Sequence, residues 1–354
     1  MKMWKFGRSN KENNETIADS SVIEEGENSL VKRISFVFLL LLFCGYLLGI
    51  YWSIEPDTFQ VENQGAYRTS GQDKQLIVGY TTVATTEKIA RTLLEKNGGY
   101  LSNDVTPPSI FLDNIPSWEF GALVQIRDIA SSLRNDMSRS QSQSLENDDL
   151  KEAEPLFNND HSKWVFPSAE GKYLSGIEKL EAFRQKLSES NQPKVQFYAR
   201  ADNLNAWLEL VNKRLGGLSQ RLSASVGQDR INTDLSGDSA ASQSTVAPSH
   251  LMIKTPWLEI DDTFYEARGA CWALIHLLKA IQVDFATVLE KKNAGASLAQ
   301  VIRELEATQE TMWSPIVLNG GGFGIVANHS LVMASYISRA NAGLIDLREL
   351  LTKG

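Results

Sequence analysis

Four carboxylates, Glu259, Asp261, Asp262 and Glu266, crowd the start of an apolar helical pattern. Asp262 and Glu266 stand four apart, so a helix places both on one face. A pair so placed could share a hard cation or divide acid and base duties. The plainer reading is that acidic side chains favour helix amino termini, where they cap free N–H groups and complement the dipole. Arg268 is near enough in sequence to neutralise them, and the plainer reading is preferred. His329 is the third catalytic candidate. It stands at an expected helix start, where the dipole favours a neutral imidazole. No nucleophile is recognisable beside it.

Other chemistry finds less support. His161, His250, His276 and His329 are scattered, and the two cysteines, Cys44 and Cys271, are far apart. There is no Cys-x-x-Cys and no His-Glu-x-x-His, so no metal site and no cofactor is expected. The run Asn319-Gly320-Gly321-Gly322-Phe323-Gly324 resembles a phosphate cradle. It lacks a following Gly-Lys-Ser/Thr and any surrounding βαβ units, and reads as a tight interhelical turn. No Gly-x-Ser-x-Gly elbow supports a serine hydrolase. His276 reads as a structural histidine. Gly216-Gly217 reads as a bend or a close helix crossing. Trp118, Trp207, Trp257, Trp272 and Trp313 read as core. A net charge of −8 argues against nucleic acid as a partner.

The elements that must position these residues are mostly helical. Ile34 to Trp52 is 19 residues without a charge, 16 of them apolar. At helical rise they cover roughly 28 Å, close to the thickness of a bilayer core. Lys32 and Arg33 precede the run, and Glu55, Asp57 and Glu62 follow it. Basic flanks stay in the cytoplasm, which predicts an inside amino terminus and an outside carboxy-terminal part. A cleaved signal peptide is the competing reading. Its apolar core would be shorter, and Gly49-Ile50-Tyr51-Trp52 is a poor cleavage context. Residues 1–33 balance six basic against six acidic side chains and read as a disordered cytoplasmic tail.

After a polar connector at 53–76, apolar residues recur every three or four positions. The stripes run from Leu123 to Met137, Tyr173 to Leu187, Leu204 to Leu222, Phe264 to Val288 and Met333 to Leu351. Such stripes predict a bundle of long helices, one of them spanning Thr263 to Lys291. Shorter helices are expected at 85–96 and 297–310. Gln75–Tyr80 and Pro315–Leu318 are the best strand candidates. Residues 138–149 and 228–256 break the pattern, and the second reads as flexible. It separates possible lobes at 77–227 and 257–354, or hangs from a single bundle.

Several stretches carry a likeness to known proteins: GYTTVATTEKIARTLLEKNGGYLSNDVTPP at 79–108, NIPSWEFGALVQIRD at 114–128, FYARADNL at 197–204 and LSQRLSASVG at 218–227. KTPWLEIDDTFYEARG at 254–269 and the run from Trp313 to Leu350 extend it. Together they resemble a family of proteobacterial single-span inner-membrane proteins classed as a domain of unknown function. The resemblance implies a bacterial inner-membrane location and a periplasmic domain, and brings no site residues. The resulting expectation is a mainly α protein, with one transmembrane helix followed by a periplasmic helical bundle. It would act by binding another envelope protein or a second copy of itself, and would touch the bilayer through Ile34 to Trp52. The alternatives are a ligand sensor signalling through a cytoplasmic partner, and an envelope enzyme using Asp262, Glu266 or His329.

Overall fold

The computed structural model describes residues 12–61, 65–70, 73–140, 144–189, 195–231 and 250–353. It divides after Trp52 into two units. The first is one helix, α1 (Glu12–Trp52). Its stretch Val31–Trp52, with a mean hydropathy of 2.4, is long and apolar enough to cross a membrane. Disorder was expected before it, but the helix runs back to Glu12. No proline lies between Glu12 and Trp52 to stop it, and an existing helix extends residue by residue at little cost. Residues 1–11 lie outside the described residues.

Among the described residues, the regular structure of the second unit is helical apart from two small ribbons. In chain order it holds β1 (Tyr67–Ser70), β2 (Asp73–Leu76), α2 (Tyr80–Glu95), α3 (Asn114–Ser132), α4 (Asp148–Phe157), α5 (Ala169–Ser188) and α6 (Ala201–Ser223). There follow β3 (Gln228–Ile231), β4 (His250–Ile253), α7 (Ile260–Asp284), α8 (Ala286–Lys291), α9 (Gly295–Glu306) and α10 (His329–Lys353). β1 pairs antiparallel with β2, and β3 with β4. The ends of the stretch 228–256 are therefore a ribbon rather than loose chain, while 232–249 lie outside the described residues. No strand forms at Pro315–Leu318; only the bridge Asn319–Asn328 follows it. Gly216-Gly217 does not interrupt α6, and Gly216 instead lies against Asn341 of α10. α4 was not foreseen; Asn147 caps it by accepting from the N–H groups of Asp149 and Leu150.

α7 is the central helix, and its stripe explains why. Leu274, Leu278 and Ile281 are fully buried, and so are Ile275 and Leu277 on the flanks. A helix apolar around so much of its circumference must be surrounded. α2, α3 and α9 pack on it, and α10 packs chiefly on α6. Helices from 77–227 and 257–354 thus interleave in one body. At the α3–α7 contact the backbones touch. A Cβ on Gly121 would lie 2.0 Å from the Glu266 carbonyl oxygen, and one on Gly269 would lie 1.9 Å from that of Trp118. The expected helix 263–291 breaks at Asp284–Phe285, where Phe285 leaves helical geometry before α8 restarts.

Side-chain pairs fix the direction of each helix. Ser117–Asp262 and Arg221–Glu266 bring the starts of α3 and α7 to the end of α6. Phe264–His329 adds the start of α10. Thr82–Asp284, Arg184–Tyr80 and Arg348–Asn205 gather the opposite ends. The chain enters at the first of these ends. Glu55 forms a two-pronged ion pair with Arg268 at 2.7–3.0 Å, the Asp57 carbonyl accepts from Trp272, and Phe59 stacks on His276. The segment 53–61 is thus a strap laid along α7 away from that near end. The connections before α3, α5, α7 and α10 lie at the near end, and those before α4, α6 and α9 at the far end.

Candidate functional site

A groove of about 350 Å³ opens near the start of α10. Phe264 and Arg268 on α7 form one wall, and His329, Val332, Met333 and Tyr336 on α10 the other. The segment Ala307–Ser314, which follows α9, closes it. Arg268 is nearly buried and fully engaged: besides Glu55 it donates to the carbonyls of Thr308 and Glu310, both at 3.0 Å. It therefore fixes the groove's floor and the strap together. The walls are mainly aromatic and aliphatic, as in pockets that take apolar groups.

Of the three catalytic candidates, His329 lines this groove and the two carboxylates do not. The His329 Nδ1 accepts from the Leu318 N–H at 3.2 Å, which leaves the proton of the neutral ring on Nε2. Burial lowers its pKa, favouring that neutral form. Asp262 instead accepts from the Ser117 hydroxyl at 3.0 Å on α3. Burial raises its pKa, opposed by that hydrogen bond. Glu266 is gripped by Arg221 of α6 through bonds of 2.7 and 2.5 Å. Successive residues turn about 100° around a helix, so Asp262 and Glu266 point roughly opposite to Phe264 and Arg268. The carboxylates tie α7 to α3 and α6 and cannot meet His329 across the groove.

Other reactive groups are also engaged. The Ser314 hydroxyl donates to the Ile316 carbonyl at 2.7 Å. Cys271 is fully buried and its thiol is pushed up to about 12 by desolvation, so it is not a nucleophile at neutral pH. His276 donates through Nδ1 to the Trp272 carbonyl at 2.7 Å and accepts the Phe59 N–H on Nε2 at 2.9 Å. Burial pushes its pKa down to about 4, so it stays neutral as a strap anchor. Among the described residues no three of His, Cys, Asp and Glu converge as metal ligands.

The glycine-rich run builds a finger, not a cradle. Its neck is zipped by Gly320 N–H to the Ala327 carbonyl at 2.9 Å and His329 N–H to the Leu318 carbonyl at 3.0 Å. The Asn328 carboxamide donates to Asn319 and Gly320 and accepts from the Leu331 N–H, so α10 already has its cap. Beyond the neck, Phe323 and Ile325 are fully exposed. Trp257 and Trp313, expected in the core, are 78% and 92% exposed, whereas Trp118, Trp207 and Trp272 are buried. The sequence signal for this surface was present: Phe323, Ile325 and Val326 sit in a glycine-rich turn, where polar residues are usual.

No curated protein and no solved structure matches the chain. A family model described as an uncharacterised protein conserved in bacteria matches residues 25–354, nearly the whole chain. The strap, the glycine crossing, the groove and the finger all lie within that span, and the chain belongs to this family, DUF2333.

Proposed function

We propose that this is a single-span protein of the bacterial inner membrane whose helical body stands in the periplasm and binds another component of the envelope. The groove between α7 and α10 carries the reading: it is open, lined with apolar side chains, and backed by an arginine that cannot move without releasing the strap. Lys32 and Arg33 before the span, with Glu55 and Asp57 after it, support an inside amino terminus. A binding role also fits the separation of His329 from Asp262 and Glu266, which are held on the opposite side of α7 by Ser117 and Arg221.

The test places a photoreactive residue at Val332, on the groove wall, in the full chain in cells. A discrete adduct with one envelope protein, lost when Tyr336 on the same wall is changed to Asp, is expected. No adduct from Val332, or one unaffected by Tyr336→Asp, overturns the groove as the binding surface. A reporter active only outside the cytoplasm, fused after Gly354, checks the orientation.

One observation favours a second reading, a ligand sensor. Arg268 belongs both to the groove and to the strap, so a ligand displacing it would loosen the chain leading from the span. Native mass spectrometry of the purified full chain tests this. A small molecule retained by the wild type and lost in Arg268→Gln would support sensing over scaffolding.

A further inference from the structure

We infer that the near end of the body is a bilayer-docking face, on which apolar tips from four interhelical connections seat in the lipid interface. This goes beyond binding at the groove, and it rests on the reading that Val31–Trp52 crosses a membrane.

The first observation is where exposed apolar side chains fall. Phe111, Phe166, Trp257, Leu258, Phe323 and Ile325 come from the connections before α3, α5, α7 and α10, and each is largely or fully exposed. All four connections lie at the near end. Among the described residues, the connections before α4, α6 and α9 at the far end expose one large apolar side chain, Leu145. Core packing does not account for such a bias, because these side chains are largely or fully exposed and fill no interior site. Concentrated apolar exposure marks a contact with protein or membrane.

The second observation chooses between them. Glu55 is fixed to Arg268 in the third turn of α7, only three residues after Trp52 ends the apolar helix. Three residues reach at most about 10 Å when fully extended. On the reading that the apolar helix crosses a membrane, a connection this short limits how far the near end can move from the interface. Tethering so short makes the bilayer an effectively concentrated partner, and weak insertions suffice to hold the body there.

The third observation is the character of the tips. The finger carries Phe323 and Ile325, both fully exposed, beyond a hydrogen-bonded neck. Protruding rings and aliphatics suit a fluid solvent, and Trp and Phe favour the headgroup boundary. Asp104, Asp113 and Glu259 are exposed at the same end beside Lys254, so the exposed charge there is not a basic patch that would draw it to anionic lipid. Docking should therefore persist at high salt and on zwitterionic bilayers.

The full chain in phosphatidylcholine nanodiscs containing spin-labelled lipid provides the test. A fluorophore is placed in turn on the native Cys44, and, in a Cys44→Ser background, on Phe323→Cys, Trp257→Cys and Glu290→Cys. Cys44 lies in the span, and Glu290 is exposed on α8 at the far end. Quenching is expected at positions 44, 323 and 257 but not at 290, unchanged by salt. With the label at 257, adding Phe323→Asp and Ile325→Asp should lower the quenching, and unchanged quenching would overturn the finger's part in docking. Quenching at 44 but none at 323 and 257 overturns the docking face while leaving the span intact, and makes a protein the occupant. Equal quenching at 290 overturns it as well. No quenching at 44 removes the span itself, and the docking face with it.

Discussion

Phenylalanines stand in the connections at both ends of the body, and they behave in opposite ways. At the far end Phe197 meets the buried Phe285 edge-on, with ring centroids 5.7 Å apart. The Phe197 ring also fills the space over Gly79, where a Cβ would come within 2.2 Å. Asp284 completes this end by accepting from the Thr82 N–H and hydroxyl, both at 2.7 Å. It caps α2, whose own N-cap residue, Gly79, has no side chain to do so. At the near end Phe111, Phe166 and Phe323 face solvent. The same residue type, in the same kind of connection, serves folding at one end and remains free at the other. The far end thus uses its aromatic rings in packing, while the near end keeps rings free to meet a partner.

The comparison breaks first at Phe285. Phe285→Ala removes a fully buried ring and should cost about 3–5 kcal/mol. Urea unfolding of the full chain in detergent, followed by tryptophan fluorescence, measures it. A loss below about 1 kcal/mol would mean that the far end is not the cooperative part of the fold.

Acid should act next, through the strap that runs along α7 from the near end. His276 is buried with a pKa near 4, against 6.5 in an open chain, so the folded state resists protonation. Its contribution is complete above about pH 6.5 and is lost as pH falls toward 4. The full loss is about 3 kcal/mol, from 1.36 kcal/mol per pH unit. Desolvation is the main cause, with Lys279 and Lys88 adding repulsion. His276→Gln, which keeps a donor and an acceptor without titrating, should flatten this pH dependence. An equally steep loss in the variant would assign acid sensitivity to other groups.

At Asp284 the effect is smaller and chemically graded. Asp284→Ala leaves the Thr82 N–H without its acceptor and should cost about 1–3 kcal/mol. Burial raises the pKa of this carboxyl, against the hydrogen bonds from Thr82. Asp284→Asn keeps an accepting oxygen and removes the buried charge, so it should cost less than the alanine change. Equal losses would show that charge on the α2 amino terminus, and not hydrogen bonding, is what Asp284 supplies.

Much of this frame was readable from spacing alone. The stripe from Phe264 to Val288 is regular enough to place α7. Less was readable where partners are distant. Glu55, Asp57 and Phe59 alternate along the strap, yet nothing in the sequence names Arg268, Trp272 and His276 as what they meet. The spacing of Asp262 and Glu266 placed them on one face, but not that the face points at α3 and α6 while His329 stands over Phe264 on the other. Trp257 and Trp313 were misplaced because aromatic residues are usually buried, and periodicity does not separate a core ring from one held out for contact. α4 was missed because Leu150, Ala153 and Phe157 are too few to make a stripe.

The smallest effect on stability should come from the finger. Phe323→Asp with Ile325→Asp would be severe in a core, where each new carboxylate would lose its water. Here both side chains are already fully solvated, so hydration of the new carboxylates costs nothing. The neck does not depend on them either: its bonds join Gly320, Asn319 and Asn328 to one another and to Ala327. The double variant should therefore unfold within about 0.5 kcal/mol of the wild type, the usual range for surface changes. Binding of an apolar dye by the folded protein should fall, because two of the most exposed apolar groups are gone. Near-ultraviolet circular dichroism during thermal unfolding gives the first quantity, and dye fluorescence at low temperature gives the second. If the double change destabilises as much as Phe285→Ala does, the finger is part of the folded core, and the contrast between the two ends fails.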